Sequence, residues 1–101
     1  MIALKITGGV QFAMLEPDKR PIKKTVGGEP EILLLGADAV MLTNREGAAQ
    51  GRPRNVIASL AAGVGVFGDA YIVGVEGDPY SGKYTDVPDR FHDLLELNDL
   101  V

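Results

Sequence analysis

The chain has 101 residues, of which 46% are hydrophobic and 24% are charged, values typical of one small globular domain. They exclude a wholly disordered chain, a collagen and a coiled coil, and no apolar run reaches the roughly 20 residues that cross a bilayer. The net charge of −4 is unevenly placed: residues 1–55 carry eight Lys or Arg and six Asp or Glu, whereas residues 56–101 carry two and eight. Without a broad basic face we do not expect general binding to nucleic acid, but an anion site in the first half stays open.

The chain contains no cysteine. This removes a disulfide framework, a thiolate metal site and a cysteine nucleophile, and it fits a reducing cytosol. Residues 1–5 pass directly into an alternating pattern, with no basic stretch followed by an apolar block, so we expect no secretory signal. We therefore expect a cytoplasmic protein.

Two strands are predicted at the start of the chain. Residues 2–7 alternate between apolar and mixed side chains, which is the pattern of a half-buried strand, and residues 10–16 repeat it. Gly8 and Gly9 between them indicate either a tight turn or a bulge within one long strand.

The next segment is predicted to be mostly extended. The two prolines of residues 17–21 indicate a turn or exposed loop, and residues 22–26 a short extended piece. Residues 31–35 and 39–43 are predicted strands. The sequence Asn-Arg-Glu-Gly at 44–47 has the composition of a hairpin turn, which would join residues 39–43 to a strand at 48–51.

Two helices and a central strand are predicted in the second half. Asn55 is a candidate N-cap for a helix over 56–62, and Gly63 is a natural stop. The apolar run at 70–75 predicts a central strand. Residues 76–86 read as a long loop, and Pro88 opens an amphipathic C-terminal helix whose Phe91, Leu94 and Leu95 share one face.

These elements predict a single α+β domain over residues 1–101, a small mixed or antiparallel sheet of five or six short strands with a short central helix and the C-terminal helix. A homodimer is expected because small domains often add buried area by association. The side chains expected to dominate the core are Phe12, Leu33, Leu35, Leu42, Ile57, Leu60, Tyr71, Val73, Phe91 and Leu94.

The residues most suited to binding a ligand lie just before the predicted central helix. Arg52 and Arg54 flank a proline just before it, and arginine side chains together with free helix N–H groups favour anions. An ordinary loop with Asn55 as a cap is the alternative. The candidate ligand-binding residues are Asn44, Arg45, Arg52, Arg54, Asn55, Lys83 and Tyr84, the last two offering charge and aromatic stacking from the long loop.

The case for an enzyme rests on the C-terminal helix. His92, the only histidine, could act as a general base, and Asp89, Asp93 and Glu96 would share one α-helical face that could hold a hard cation. Both features are more common as solvated helix positions. The Gly-x-Gly-x-x-Gly match at 63–68 follows a helix instead of a strand, which is the wrong context for a phosphate loop. We expect no catalytic residue, no metal and no cofactor.

The order of motifs over residues 26–75 resembles a family of short proteins of bacteriophages, plasmids and mobile elements whose domain has no assigned function. The shared pattern is Val26-Gly27-Gly28, Asn44-x-x-Gly47, Asn55, and a Gly-Asp-x-x-Ile-Val-Gly strand at 68–74. Family members place a helix before Val-Gly-Gly, whereas residues 17–25 are expected to be too short and proline-broken for one.

The resemblance implies a non-enzymatic accessory protein that works in a bacterial cytoplasm and carries no transferable catalytic residues. Such a protein would bind a host protein or a small anionic ligand such as a nucleotide, with an anti-defence role. The alternative is a small metal-dependent hydrolase or nucleotide-modifying enzyme that uses the acidic C-terminal helix, and a passive assembly protein is a third possibility. No membrane partner is expected.

Overall fold

The first two strands form a hairpin. In the computed structural model, which describes residues 1–16, 19–80 and 83–100, β1 (Ile2–Ile6) pairs antiparallel with β2 (Val10–Met14). Gly8 and Gly9 lie in the turn, because Ile6 stands opposite Val10. The structure therefore selects the tight turn over the bulged single strand.

Six strands build one antiparallel sheet. Four follow the hairpin along the chain: β3 (Pro30–Leu34), β4 (Ala39–Asn44), β5 (Ala70–Val75) and β6 (Tyr84–Thr85). The strand order is β2-β1-β5-β4-β3, and β6 pairs with the end of β5. Every pairing is antiparallel, which decides between the mixed and antiparallel sheets that the sequence allows.

The strand predicted over residues 48–51 is absent. Residues 45–51 form a series of turns after β4, with Gln50 N–H donating to the Glu46 carbonyl and Arg52 N–H to the Gly47 carbonyl. Both edges of β4 are already occupied by β3 and β5, so a further strand has no edge to join.

A helix, α1 (Lys19–Val26), stands where a loop and an extended piece were predicted. Pro17 and Asp18 lie outside the described residues. Pro21 is tolerated because it falls in the first helical turn, where backbone N–H groups have no intrahelical partner. Ile22 and Val26, one helical turn apart, are both buried against the sheet. The expectation that this segment is too short and proline-broken for a helix is therefore wrong.

The second helix, α2 (Val56–Ala62), follows the prediction closely. The Asn55 side chain accepts a hydrogen bond from Ala58 N–H at its start. Gly63 ends it with φ of 75°, a left-handed conformation that favours glycine.

The C-terminal helix is a 3₁₀ helix over Asp89–Leu100, not the α-helix that was predicted. With three residues per turn, side chains three apart lie on one face. Phe91 and Leu94 therefore still share a face, and both pack against the sheet. Asp89 is turned about 120° from Asp93 and Glu96, so the predicted single acidic face does not form. In the described part of the chain no helix is both long and apolar enough to cross a bilayer.

The sheet is covered on both faces. One face carries Val40, Leu42, Tyr71 and Val73, on which α1 packs. The other face packs against α2 and the 3₁₀ helix, and its buried side chains are Leu4, Ile6, Val10, Met41, Ala70 and Ile72. The central strand β5 is buried at all six positions, as its continuous apolar run predicts.

The predicted core is correct for part of its members. Leu42, Tyr71 and Val73 are buried, and Leu33, Leu35, Ile57, Phe91 and Leu94 are partly buried against the second face. Phe12 and Leu60 are wrong, with 47% and 78% of their surface exposed. Phe12 lies on the edge strand, where the 3₁₀ helix covers it only in part, and Leu60 points away from the sheet on α2.

The contrast between Ile72 and Leu60 gives a first prediction. Truncating the fully buried Ile72 to Ala should lower the free energy of unfolding by about 2–5 kcal/mol, since it leaves a cavity between two neighbouring strands. Leu60→Ala should change it by no more than about 0.5 kcal/mol. Urea unfolding of both variants measures this, and a larger loss for Leu60→Ala would contradict the packing described here.

A charged contact ties the β3–β4 turn to the 3₁₀ helix. The Arg90 guanidinium donates to the Asp38 carboxylate and, over 2.6 Å, to the Leu35 carbonyl. The hydrogen bond from Arg90 holds the pKa of the Asp38 carboxyl below its ordinary value.

The lowered pKa predicts how acid acts on this contact. Because the folded pKa lies below the unfolded one, the contribution of Asp38 to stability is complete above the ordinary carboxyl pKa of about 3.9 and is lost as the pH falls through the lowered value. Asp38→Asn should therefore lose less stability than the wild-type chain between neutral pH and pH 2. Thermal unfolding across that range measures the difference, and parallel profiles would contradict it.

Candidate functional site

In the basic cluster before α2, the exposed Arg52 side chain lies along other segments of the chain. A Cβ added to Gly27 would lie 2.8 Å from Arg52 Nη2, and one added to Gly68 would lie 3.5 Å from Arg52 Cβ. The Arg52 side chain therefore runs from Gly68 to the C-terminal end of α1. It joins three separate chain segments, and its guanidinium lies beside backbone at Gly27.

Asn55 has an internal partner for every amide hydrogen. Its Nδ2 donates to the carbonyls of Ile6 and Gly68, each at 2.9 Å, while its Oδ1 accepts from Ala58 N–H at 3.1 Å. One buried side chain thus connects the end of β1, the segment before β5 and the first turn of α2. The cap role predicted for Asn55 is confirmed, and these bonds leave no amide hydrogen for a ligand.

Asn44 organises the turns after β4. Its Oδ1 accepts from Glu46 N–H at 2.9 Å and its Nδ2 donates to Gln50 Oε1 at 2.8 Å. The same side chain fills the space beside Gly28, where an added Cβ would lie 2.6 Å from Asn44 Oδ1. Gly47 is equally constrained, since its added Cβ would lie 2.3 Å from the Phe67 carbonyl oxygen.

Three glycines of these turns lie close to other segments of the chain. Gly27 and Gly28 contact Arg52 and Asn44, and Gly47 lies against Phe67. Of these residues, Asn44 and Arg52 were predicted to bind a ligand, and the glycines permit the close approach of the turns.

A small polar cavity lies under these turns. It has a volume of about 160 Å³, and its lining includes Glu31, Thr43, Asn44 and Arg45. Thr43 is almost fully buried, and its hydroxyl has no hydrogen-bond partner within the described residues. Two of the predicted ligand residues, Asn44 and Arg45, thus line one cavity, and the acidic Glu31 lines it with them.

Arg54 belongs to a different surface. It forms an isolated β-bridge with Phe67 and lines a shallow groove along α2. Three apolar side chains of this groove are exposed: Val56 (62%), Leu60 (78%) and Val64 (51%). We call Val56, Leu60 and Val64 with Arg54 the α2 face.

Lys83 and Tyr84 are not brought to these places, since neither lines the cavity or the α2 face. Tyr84 lies in β6 and packs against the core face that α1 covers. Burial raises the pKa of its phenol above the ordinary value. Its ring is partly buried by this packing, and Tyr84 does not line the cavity of Arg45 or the groove of Arg54.

The histidine contacts an edge of the sheet. His92 Nε2 lies 3.7 Å from the fully exposed Asp89 carboxylate, three residues earlier, and its ring meets Phe12 edge-on with centroids 5.0 Å apart. Side chains three residues apart share a face of a 3₁₀ helix, which places Asp89 beside His92. Among the described residues no group of three or more His, Cys, Asp or Glu side chains could hold a metal ion.

An apolar groove beside β2 was not foreseen. Its volume is about 410 Å³, and Ile2, Phe12, Met14 and His92 contribute to its walls. The alternation of Val10, Phe12 and Met14 indicates an apolar face, but a single strand carries no signal that it will stand at an edge.

No family model, curated protein or solved structure matches this chain.

The Thr43 hydroxyl leads to a prediction. Removing a buried polar group that has no partner, while keeping its shape, should stabilise the fold, so Thr43→Val should raise the free energy of unfolding by about 1 kcal/mol. Thr7→Val, at an exposed position of the β1–β2 turn, is the control and should change little. Denaturant unfolding of both variants is the measurement. A destabilised Thr43→Val would instead reveal that the hydroxyl has a partner in the cavity.

Proposed function

We propose that this chain is a non-catalytic binding protein that captures a partner protein on the α2 face. The family resemblance would make the partner a host protein in a bacterial cytoplasm and the chain a phage or mobile-element accessory protein with an anti-defence role. The observation that carries the proposal is the row of exposed apolar side chains along α2.

The apolar row is ordered, not scattered. Val56 and Leu60 lie one helical turn apart on α2, and Val64 follows just beyond its C-cap, Gly63. All three line one groove, and each has at least half of its surface exposed. Single exposed apolar residues are common on protein surfaces, but a contiguous group marks an interaction site. A partner that covers this apolar surface would gain free energy by removing it from water.

The charge of the surface indicates the chemistry of the partner. Arg54 lines the same groove, and the first 55 residues carry a net charge of +2 in a chain whose remainder carries −6. An amphipathic segment whose apolar side chains cover Leu60 and whose acidic residue meets Arg54 fits this surface.

The size of the polar cavity favours a protein over a nucleotide. Its volume of about 160 Å³ is below the range of about 300–1,000 Å³ usual for small-molecule sites. Asn44 and Asn55 also make internal hydrogen bonds that a ligand would have to replace. No observation favours the metal-dependent hydrolase, since Asp89 is turned away from Asp93 and Glu96.

A matched pair of leucine substitutions tests the proposal. Leu60→Glu places a charge in the centre of the α2 face, whereas Leu34→Glu places the same charge on β3, where Leu34 is 52% exposed. Both variants should keep the wild-type melting temperature, because neither side chain is buried. In a pull-down from bacterial lysate, a protein retained by the wild type and by Leu34→Glu should be lost with Leu60→Glu.

Arg54→Glu adds an electrostatic test on the same retained protein. Reversing this charge should weaken capture of an acidic partner, and added salt should weaken capture by the wild type. Retention that is equal for the wild type and Leu60→Glu, or no selective retention at all, would refute the α2 face as the binding surface.

A further inference from the structure

We propose that the free edge of β2 pairs with β2 of a second copy of this chain, antiparallel, with Ala13 facing Ala13 across a two-fold axis. The interface shares no residue with the α2 face, so the dimer proposal can be tested separately from the function proposed above.

The hydrogen bonds at the start of the sheet show which backbone groups of β2 are open. The Met1 amino group donates to the Leu15 carbonyl, and Leu15 N–H donates to the Met1 carbonyl, at 2.8 and 2.9 Å. In an antiparallel pair, bonded and non-bonded positions alternate. Ala13 and Gln11 therefore bond to β1, while Met14, Phe12 and Val10 direct their N–H and C=O groups away from it.

Asn98 confirms this direction at Val10. Val10 N–H donates to Asn98 Oδ1 at 2.6 Å, and Asn98 Nδ2 donates to the Val10 carbonyl at 2.7 Å. The side-chain amide of the 3₁₀ helix thus takes the place of a neighbouring strand at one residue. No bond within the described residues reaches the outward groups of Phe12 and Met14, which stand at the end of the sheet.

Phe12 and Met14 have outward backbone groups without a partner in the described residues, whereas Ala13 between them bonds to β1. This alternation defines the register of the pairing. With Ala13 on the axis, Phe12 of each copy stands opposite Met14 of the other, and each of these two pairs exchanges two hydrogen bonds. All open groups of both residues are then satisfied. With Phe12 on the axis instead, Met14 would stand opposite Val10, whose groups Asn98 already holds.

The side chains fit the same register. Phe12 and Met14, with 47% and 74% of their surface exposed, lie on one face of β2 and would cover each other across the axis. The residue on the axis is alanine, whose small side chain suits the close approach of a non-bonded antiparallel pair. Ile2, 41% exposed beside Met14, extends the apolar contact.

A second copy fits this edge better than an unrelated strand for a reason of symmetry. A two-fold axis requires a patch that complements itself, and the open positions here complement each other, Phe12 with Met14. An extended segment of another protein remains an outcome that the experiment distinguishes.

Single-cysteine variants test the register, because the chain has no cysteine of its own. In the proposed dimer the two Ala13 Cα atoms lie about 4.5 Å apart, within the range that a disulfide spans. Gln11 stands opposite Leu15, so two Gln11 residues lie more than about 13 Å apart along the strands. Under mild oxidation Ala13→Cys should give a disulfide-linked dimer and Gln11→Cys should not.

The wild-type chain and Met14→Pro test the edge without a cross-link. Proline removes the outward N–H at position 14 and is tolerated on edge strands, whereas the control Met14→Gln keeps that N–H. In sedimentation over a concentration series, the wild type should shift from monomer to dimer and Met14→Pro should stay monomeric. Met14→Gln should keep a measurable though weaker dimer. Circular dichroism shows whether Met14→Pro has kept its fold, and if it has not, the cysteine pair alone decides.

Three results would overturn the proposal. They are a wild-type chain that stays monomeric at every concentration, a folded Met14→Pro that dimerises as the wild type does, and a disulfide that forms through Gln11→Cys but not through Ala13→Cys. The first would leave the edge to a strand of another protein, and the second would place the interface elsewhere on the chain.

Discussion

The burial of β5 on both faces is the constraint on which the rest of this fold depends. A strand with no solvent-facing side needs a layer above and a layer below, and 101 residues supply only short elements for both. One layer is α1, and the other is shared between α2 and the 3₁₀ helix. Gly74 completes the arrangement, because an added Cβ there would lie 2.3 Å from Thr85 Oγ1 and would push β6 off the sheet.

In the central motifs, the side-chain amides of Asn44 and Asn55 fix the connections between strands and helices. Asn55 joins β1, the segment before β5 and α2, while Asn44 shapes the turns that follow β4. Buried amides of this kind are stable only when their hydrogen bonds are made inside the protein. This explains how a sequence can carry a dense cluster of Asn, Arg and Gly without presenting that whole cluster to a ligand.

The two surfaces on which our proposals rest are mainly apolar, one along α2 and one along the edge of β2. If the edge joins two copies while the α2 faces bind partners, one assembly presents two identical binding surfaces. Two linked sites raise the effective affinity for a partner that is itself multivalent. In such an assembly the β2 edges join the two copies and the α2 faces bind the partner.

Local patterns in the sequence determined several elements. The helix α2 was predictable from its cap and stop residues, and β5 from a continuous apolar run, because these signals act within a few residues. For the same reason the local pattern gave the wrong prediction for α1. The prolines disfavour a helix there, but the burial of Ile22 and Val26 against the sheet stabilises one.

Only the tertiary structure decided which apolar side chains are covered. Phe12 and Leu60 follow the same patterns as core residues, and their exposure depends on strand order and on where α2 lies over the sheet. Sequence placed Asn44, Arg45, Arg52, Arg54 and Asn55 near one another along the chain. The hydrogen bonds of the Asn55 side chain to the Ile6 and Gly68 carbonyls, and the open backbone groups of β2, exist only once segments far apart in sequence meet. The reason is that side-chain type specifies what a residue can bind but not which partner lies beside it.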